Sequence, residues 1–241
     1  MKLLIAMPAL NEGRSIASVI EDVKRAMPAV DILVIDDGST DNTVENARNA
    51  GAQVVSLPFN IGVGGALRAG FVYASRNGYT HLVQVDADGQ HNPEQIEILL
   101  EASKRSDVVI GSRFALGREG FEVSRTREFA MRWLAFWLTR ICGVKLTDVT
   151  SGFRLANKEA IDLFASEYPP EYLGDTVESL VIAHRANLRI EEVPVVMNKR
   201  LYGSSSQSSG KALWYVLRAT LVIFLAVVHR SPKAISGEVK E

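Results

Sequence analysis

The stretch HLVQVDADGQHNPEQ, residues 81–95, decides the fold. His81–Val85 is a short apolar run and predicts a buried strand. Asp86-Ala87-Asp88-Gly89-Gln90 ends that strand in residues that favour turns. Asn92-Pro93-Glu94-Gln95 then opens a helix to about Arg105, with Asn92 as the cap, Pro93 at the first helical position and Gln95 placed to complete a capping box. Strand, polar turn and helix form the unit from which parallel sheets are built, because the helix carries the chain back to start the next strand in the same direction.

The unit recurs on both sides. Upstream, Lys2–Met7 predicts a buried strand, and a helix from Ser15 to Met27 sets Ile16, Val19, Ile20 and Val23 at helical spacing. Ile32–Ile35 is the second strand, followed by a helix from Asn42 to Ala50 with Gly51 as its stop. Gln53–Leu57 is the third, and the helix Gly64–Asn77 closes at Gly78. Downstream, Asp107–Ile110 is the fifth strand. The expected class is α/β, with a mostly parallel sheet covered by helices on both faces. After Ser112 the alternation weakens. Residues 114–124 read as a loop, Thr126–Ile141 as a helix carrying Phe129, Trp133, Phe136 and Trp137, and Thr147–Asn157 as extended or turned. Thr176–Ala186 predicts a helix and Ile190–Val196 a strand. A Ser-rich loop, Gly203–Gly210, precedes a strongly apolar helix, Ala212–His229. The expected organisation is one domain over residues 1–210 and an appended helix with a polar tail over 211–241.

Charge and cysteine usage narrow the function classes. Lys and Arg total 27 against 28 Asp and Glu, a net charge of -1, so there is no broad basic field and nucleic acid is not an expected partner. Cys142 is the single cysteine, which excludes an internal disulfide and fits a reducing, cytoplasmic compartment. It sits in an apolar run and reads as a packing residue. The apolar run after Met1-Lys2 breaks at Pro8, too early for a signal peptide.

The chemistry lies in polar groups that follow apolar strands: Pro8–Glu12, Asp36–Asp41, Asn60–Gly65, Asp86–His91 and Ser112–Arg113. In a parallel sheet these five loops meet at one edge, beyond the carboxyl ends of the strands. Asp86, Asp88 and Gln90 offer two carboxylates and an amide oxygen on a rigid strand end, a set suited to a hard cation with room for water and phosphate. The same residues also suit a plain acidic turn. A calcium loop would want an acid or Asn in place of Gln90 and a glycine in place of His91. Asp36–Asp41 serves either as a turn and helix cap or as a carboxylate that accepts from a ribose or base. Asn60-Ile61-Gly62-Val63-Gly64-Gly65 resembles a phosphate loop, but Leu67 stands where a dinucleotide fingerprint has its third glycine, and the loop follows the third strand.

Taken together, Pro8-Ala9-Leu10-Asn11-Glu12, Asp36–Asp41, Asn60–Gly65 and Asp86–Gln90 resemble the family-two inverting glycosyltransferases of GT-A fold. Gly111-Ser112-Arg113-Phe114, Asp148–Arg154 and Arg200-Leu201-Tyr202-Gly203-Ser204-Ser205 are similar to the polyprenyl-phosphate branch, typified by dolichol-phosphate mannose synthase. The likeness covers about residues 3–211. One motif departs: family members have Ser-Lys soon after the glycine, whereas Ser206 follows Ser205 here and the next lysine is Lys211. The resemblance implies a nucleotide-sugar donor held by Pro8, Asn11, Glu12 and Asp37, and Mg2+ or Mn2+ held by Asp86, Asp88 and Gln90. It implies an acceptor phosphate held by Arg113, Arg127, Arg200 and Ser205. A phosphate monoester is largely ionised at neutral pH and needs no strong base. A sugar hydroxyl would need one, and Asp148 is then the candidate, or else an acid that caps the turn at Thr150-Ser151-Gly152.

Ala212–Val228 is apolar except for Arg218 and Thr220, and as a helix would be roughly 26 Å long. That falls short of a hydrocarbon core of ~30 Å, so an interfacial or short membrane helix is expected. The helix at Thr126–Ile141 repeats the mixture of aromatic and basic residues, and both helices alternatively pack on the sheet. The expectation is peripheral attachment to a membrane surface, with a small membrane protein as a further partner. Three rivals remain. Transfer to a sugar hydroxyl is the first. A sugar-phosphate nucleotidyltransferase would want a glycine-rich basic motif at the first strand, which Pro8–Glu12 lacks. A silent nucleotide-sugar-binding subunit is opposed by the intact acidic motif.

Overall fold

The computed structural model describes residues 1–114, 125–169 and 174–198. The expected boundary at 210/211, the Ser-rich loop and the apolar C-terminal helix lie outside them. The elements in chain order are β1 (Leu3–Ala9), α1 (Ile16–Ala26), β2 (Asp31–Asp36), α2 (Thr43–Asn49), β3 (Gln53–Ser56), α3 (Val63–Arg76) and β4 (His81–Gln84). They continue with α4 (Ile96–Ala102), β5 (Val108–Ser112), α5 (Arg125–Cys142), β6 (Arg154–Asn157), α6 (Lys158–Glu167), α7 (Gly174–Arg185) and β7 (Ile190–Pro194). The seven strands form one sheet in the order β3-β2-β1-β4-β6-β5-β7. All neighbouring pairs are parallel except those of β6, which runs antiparallel to both β4 and β5.

Alternation along β1 shows why the sheet needs helices on two sides. Leu4 and Ala6 join a cluster that includes Leu67 and Phe71 of α3, Leu134 and Leu138 of α5, Phe164 of α6 and Leu180 of α7. Leu3, Ile5 and Met7 join the opposite cluster, with Val19 and Ile20 of α1, Ala47 of α2, and Ile96 and Leu99 of α4. Ile5 and Met7 are wholly buried, and each such side chain contributes roughly 1.5–3 kcal/mol relative to exposure. Gly51 and Gly78 adopt φ of +79° and +70° just past α2 and α3, the left-handed stop expected of them.

Three details differ from the sequence reading. The first turn after Asn92 is a 3-10 turn, Pro93–Gln95, and Asn92 Oδ1 accepts the Glu94 amide at 3.1 Å. Gln95 does not close a capping box: its Oε1 accepts the Val196 amide at 3.1 Å, so it ties the start of this helix to the end of β7. Second, the extended stretch 147–157 contains β6, which closes the gap between β4 and β5. Third, residues 158–167, for which the sequence pattern predicts no element, form α6, capped by Asn157 Oδ1 accepting from the Ala160 amide at 3.1 Å.

Candidate active site

The carboxyl ends of β1, β2, β3, β4 and β5 point the same way, since β1, β2, β3 and β4 are mutually parallel and β5 continues that sense across β6. Their loops are stitched to one another. Asn11, at φ +56°, accepts the Thr40 amide through its side chain at 2.8 Å and donates its own amide to Ser39 Oγ at 2.9 Å. Glu12 donates its amide to Thr43 Oγ1 at 2.9 Å and accepts from Ser15 Oγ at 2.8 Å, which fixes the entry to α1. Pro8 lies in β1 opposite Ile35 of β2.

Asp37 joins the second loop to the third. Its Oδ1 accepts the Ile61 amide at 2.8 Å and its Oδ2 the Gly62 amide at 2.9 Å. The residue is buried. Each carboxylate oxygen keeps a second lone pair, so a ribose hydroxyl or base N–H can still be accepted. Asp36 performs a local task, accepting the Ser39 amide at 3.0 Å.

The acidic loop after β4 is held from several sides. Asp88 is buried and its Oδ1 accepts the Gln90 amide at 2.9 Å. The Asp86 side chain is 37% exposed, and its Oδ1 accepts from Gln84 Nε2 at 3.0 Å. Gly152 lies against this carboxylate. A β-carbon there would stand 2.8 Å from Gln84 Nε2 and 3.2 and 3.3 Å from the two Asp86 oxygens. Any larger residue would push Gln84 and the Asp86 carboxylate from these positions. Beyond the loop, the Asn198 amide donates to the Gln90 carbonyl at 2.8 Å, so the chain leaving β7 runs beside the acidic residues.

The loop 147–153 is pinned to the end of β5. Arg113 forks onto Asp148, with Nε 2.6 Å from Oδ2 and Nη2 2.8 Å from Oδ1. Asp148 is fully buried, and the Arg113 side chain is 19% exposed. Burial opposes the charge on Arg113, but the Asp148 carboxylate outweighs it and Asp86 acts in the same sense, so the guanidinium titrates above its ordinary value. Glu192 of β7 accepts the amides of Thr147 and Asp148 at 2.7 and 3.0 Å. Ser151 Oγ donates to the Gly111 carbonyl at 2.6 Å. Beneath the loop lies Arg154, a buried cation that donates to the carbonyls of Ser151, Val149 and Thr176 at 2.7–2.8 Å and to Ser179 Oγ at 3.0 Å. Its burial pushes its pKa down, against the nearby Tyr168, Asp175, Asp148 and Glu192.

The structure therefore brings Pro8, Asn11, Glu12, Asp37, Asp86, Asp88, Gln90, Arg113 and Asp148 to one edge. Arg127 lies on α5, its side chain outside the described residues, as are Arg200 and Ser205. Sequence reasoning gave no role to Gln84, His91, Gly152, Arg154 or Glu192. Gly152 and Arg154 stood within a motif already noted, which was the available signal. Cys142 is buried as expected of a packing residue, and burial pushes its thiol up to about 11.

Among the described residues, no three His, Cys, Asp or Glu side chains gather into a ready-made metal cluster. The candidate cradle consists of two carboxylates and one amide, with Asp86 partly open to solvent and Gly152 leaving its carboxylate uncrowded. Such a set fits a hard divalent cation that takes its other ligands from water or phosphate. On the outer side of α5, Phe129, Trp133, Phe136 and Trp137 are exposed and in ring contact along the helix, and Arg140 lies 5.2 Å over the Phe136 ring. No helix among the described residues is long and apolar enough to cross a membrane.

Comparison with known proteins agrees with this architecture. The model of the family Glycosyl transferase family 2 matches residues 4–164. An undecaprenyl-phosphate mannosyltransferase of Micrococcus luteus is 36% identical over 219 residues, covering 87% of this chain and 89% of its own. A polyprenol monophosphomannose synthase of Mycolicibacterium smegmatis is 30% identical over 221 residues, covering 86% and 81%. Among solved structures, glucosyl-3-phosphoglycerate synthase of Mycobacterium tuberculosis, crystallised with Mn2+, uridine diphosphate and glucosyl-3-phosphoglycerate, superposes with a TM-score of 0.73. It covers 95% of this chain and 81% of that one at 22% identity, a likeness of fold. With two thirds of its length in the family model, the chain belongs to glycosyl transferase family 2 and is a glycosyltransferase of GT-A fold.

Proposed function

We propose that this enzyme transfers a sugar from a nucleotide-sugar donor to a polyprenyl phosphate of dolichyl or undecaprenyl type, with inversion and with Mg2+ or Mn2+. The observation that carries the reading is the state of Asp148. It is fully buried, and both its oxygens are engaged by Arg113. A hydroxyl acceptor needs a base within hydrogen-bond reach, and this carboxylate would have to break a buried ion pair to serve as one. A phosphate acceptor needs cations in place of a base, because its attacking oxygen already carries charge. Arg113 is such a cation, fixed by Asp148 beside the acidic loop. The names of the relatives from M. luteus and M. smegmatis support the same acceptor class.

Each part of the site has a task in this reading. Pro8, Asn11, Glu12 and Asp37 hold the nucleotide, Asn11 and Asp37 chiefly by locking three loops together. Asp86, Asp88 and the Gln90 amide hold the cation, which when bound neutralises charge that builds on the departing nucleoside diphosphate. Arg113, Arg127 and Arg200 hold the acceptor phosphate with Ser205, through charge-assisted bonds that suit guanidinium geometry. A phosphate oxygen attacks the anomeric carbon opposite the leaving group, the bond to the nucleoside diphosphate breaks, and a sugar–phosphate bond forms. The exposed rings of α5 support peripheral attachment to the cytoplasmic face of a membrane, where Trp and Phe suit the interface and such an acceptor is anchored. A small membrane protein belongs to the same proposal as a further anchor.

The decisive experiment is a panel of nucleotide sugars offered with and without short polyprenyl phosphates, in Mg2+, Mn2+ or EDTA, with product identification. The expected product is a polyprenyl-linked sugar phosphate, formed only with metal. Product on a sugar hydroxyl and never on a polyprenyl phosphate would overturn the acceptor assignment. Full activity in EDTA would remove the metal.

A further inference from the structure

His91 follows the acidic loop and is buried, its ring stacked on Phe153 with centroids 4.8 Å apart. A core histidine can satisfy its two nitrogens on any neighbours. Here both face one residue. Nδ1 accepts the Asp86 amide at 2.9 Å, and Nε2 stands 3.5 Å from Asp86 Oδ2. An amide can only donate, so Nδ1 is the acceptor and the ring proton sits on Nε2. The Nε2–Oδ2 approach is an electrostatic contact and longer than a hydrogen bond. The ring is itself fixed by Phe153 on one face and by the backbone bridge between His91 and Met197.

We propose that His91 is a positioning residue for Asp86, holding the backbone and the carboxylate of this ligand in the orientation that binds the divalent cation. The inference rests on the metal reading given above. Gln84 restrains Oδ1, and Gly152 leaves the carboxylate room. The imidazole holds the Asp86 amide by a hydrogen bond and lies beside its other oxygen, so the backbone that carries this ligand is fixed before the metal arrives. Side chains that orient a metal ligand in this way are typically worth about 10–100-fold in metal affinity.

The test is Mn2+ binding to the full chain, read by the loss of the free-ion signal in electron paramagnetic resonance, with thermal unfolding of each metal-free protein alongside. His91→Phe keeps the stacked ring and removes both nitrogens. His91→Asn restores an acceptor near the Nδ1 position and removes Nε2 from beside Asp86 Oδ2. The Phe variant is expected to lose about 10–100-fold in Mn2+ affinity and the Asn variant a smaller factor of at least about threefold. If either folded variant binds Mn2+ within about twofold of wild type, the inference is overturned and His91 is a packing residue. Should His91→Phe fail to fold, His91→Asn decides alone. The metal reading has its own control: a wild-type protein that does not bind Mn2+, or binds no better than Asp88→Asn, sinks that reading and the inference with it.

Discussion

Replacing Asp148 with Asn separates two kinds of site. In the structure Asp148 has no exposed surface, and its carboxylate takes Nε and Nη2 of Arg113 at 2.6 and 2.8 Å. Asn keeps one acceptor and turns an NH2 donor towards the other guanidinium N–H. One bond weakens to a neutral-acceptor bond and the second becomes a donor–donor contact. Removing one partner of a buried pair costs about 3–5 kcal/mol. The Arg113 side chain keeps 19% of its surface in solvent and feels Asp86, and Asn keeps one acceptor, so a cost below that range, about 2–3 kcal/mol, is expected here. For a chain of this size that lowers Tm by roughly 4–12 °C. Transfer to a polyprenyl phosphate should fall because Arg113 loses its fixed position, yet it should remain measurable and exceed that of Asp88→Asn. The assay pairs thermal unfolding with product formation on a short polyprenyl phosphate at saturating Mn2+. An Asp148→Asn protein with unchanged Tm and no activity would refute the argument, because it would show a carboxylate that matters for proton transfer and little for holding Arg113.

The remaining predictions test other contacts. Gly152→Ala places a β-carbon 2.8 Å from Gln84 Nε2 and within 3.3 Å of both Asp86 oxygens. Displacing these groups by a fraction of an ångström should lower activity by up to about 10²-fold, with a weaker response to Mn2+; an unaltered metal requirement and rate would refute the cradle. Asp107 is held below its ordinary carboxylate value of 3.8 chiefly by hydrogen bonding to Arg189. Its stabilising effect is therefore complete above that pH and lost as pH falls through the lowered folded-state value. The Tm gap between wild type and Asp107→Asn should be widest near neutrality and shrink below pH 3.8, whereas a gap that is constant with pH would disprove the assignment. Serine at both Phe136 and Trp137, exposed on α5, should reduce flotation with anionic liposomes while changing stability by no more than about 0.5 kcal/mol. Unchanged flotation would remove α5 from the membrane surface.

Much of the sheet is legible in the sequence for a physical reason. β1, β2 and β5 are covered on both faces, so they appear as continuous apolar runs between turn residues. β6 carries no such mark. It has four residues, begins with Arg154, and is recognisable as a strand only once β4 and β5 stand on either side of it. A charged residue at a central strand position contradicts any pattern-based reading. It is tolerated because three carbonyls and a hydroxyl surround the guanidinium, two supplied by Val149 and Ser151 of the preceding loop and two by Thr176 and Ser179 of α7. α6 had readable marks, the Asn157 cap and Ala160, Ile161 and Phe164 at helical spacing, but Lys158, Glu159 and Asp162 break up the apolar run.

For the site, residue types at strand ends are visible in sequence and their pairings are not. Arg113, which the proposal gives to a phosphate, is committed to Asp148, 35 residues away, and no local pattern couples the two positions. That coupling changes the chemistry assigned to both. Asp148 read alone is a candidate base or a turn cap, and Arg113 read alone is a cation for a phosphate. Together they form one rigid donor whose carboxylate faces inward. Asp37 behaves similarly: a turn acid in sequence, it spans from the second loop to the third through two amides. Gly152 shows the converse, since its importance comes from the atom it lacks and the Asp86 oxygens that fill the space. The loop 147–153 thus controls both halves of the proposed reaction, setting Asp86 through Gly152 and Arg113 through Asp148, and Arg154 fixes that loop from below. Donor-side and acceptor-side defects should therefore appear together when the loop is disturbed, and apart when Asp88 or Arg113 is altered alone.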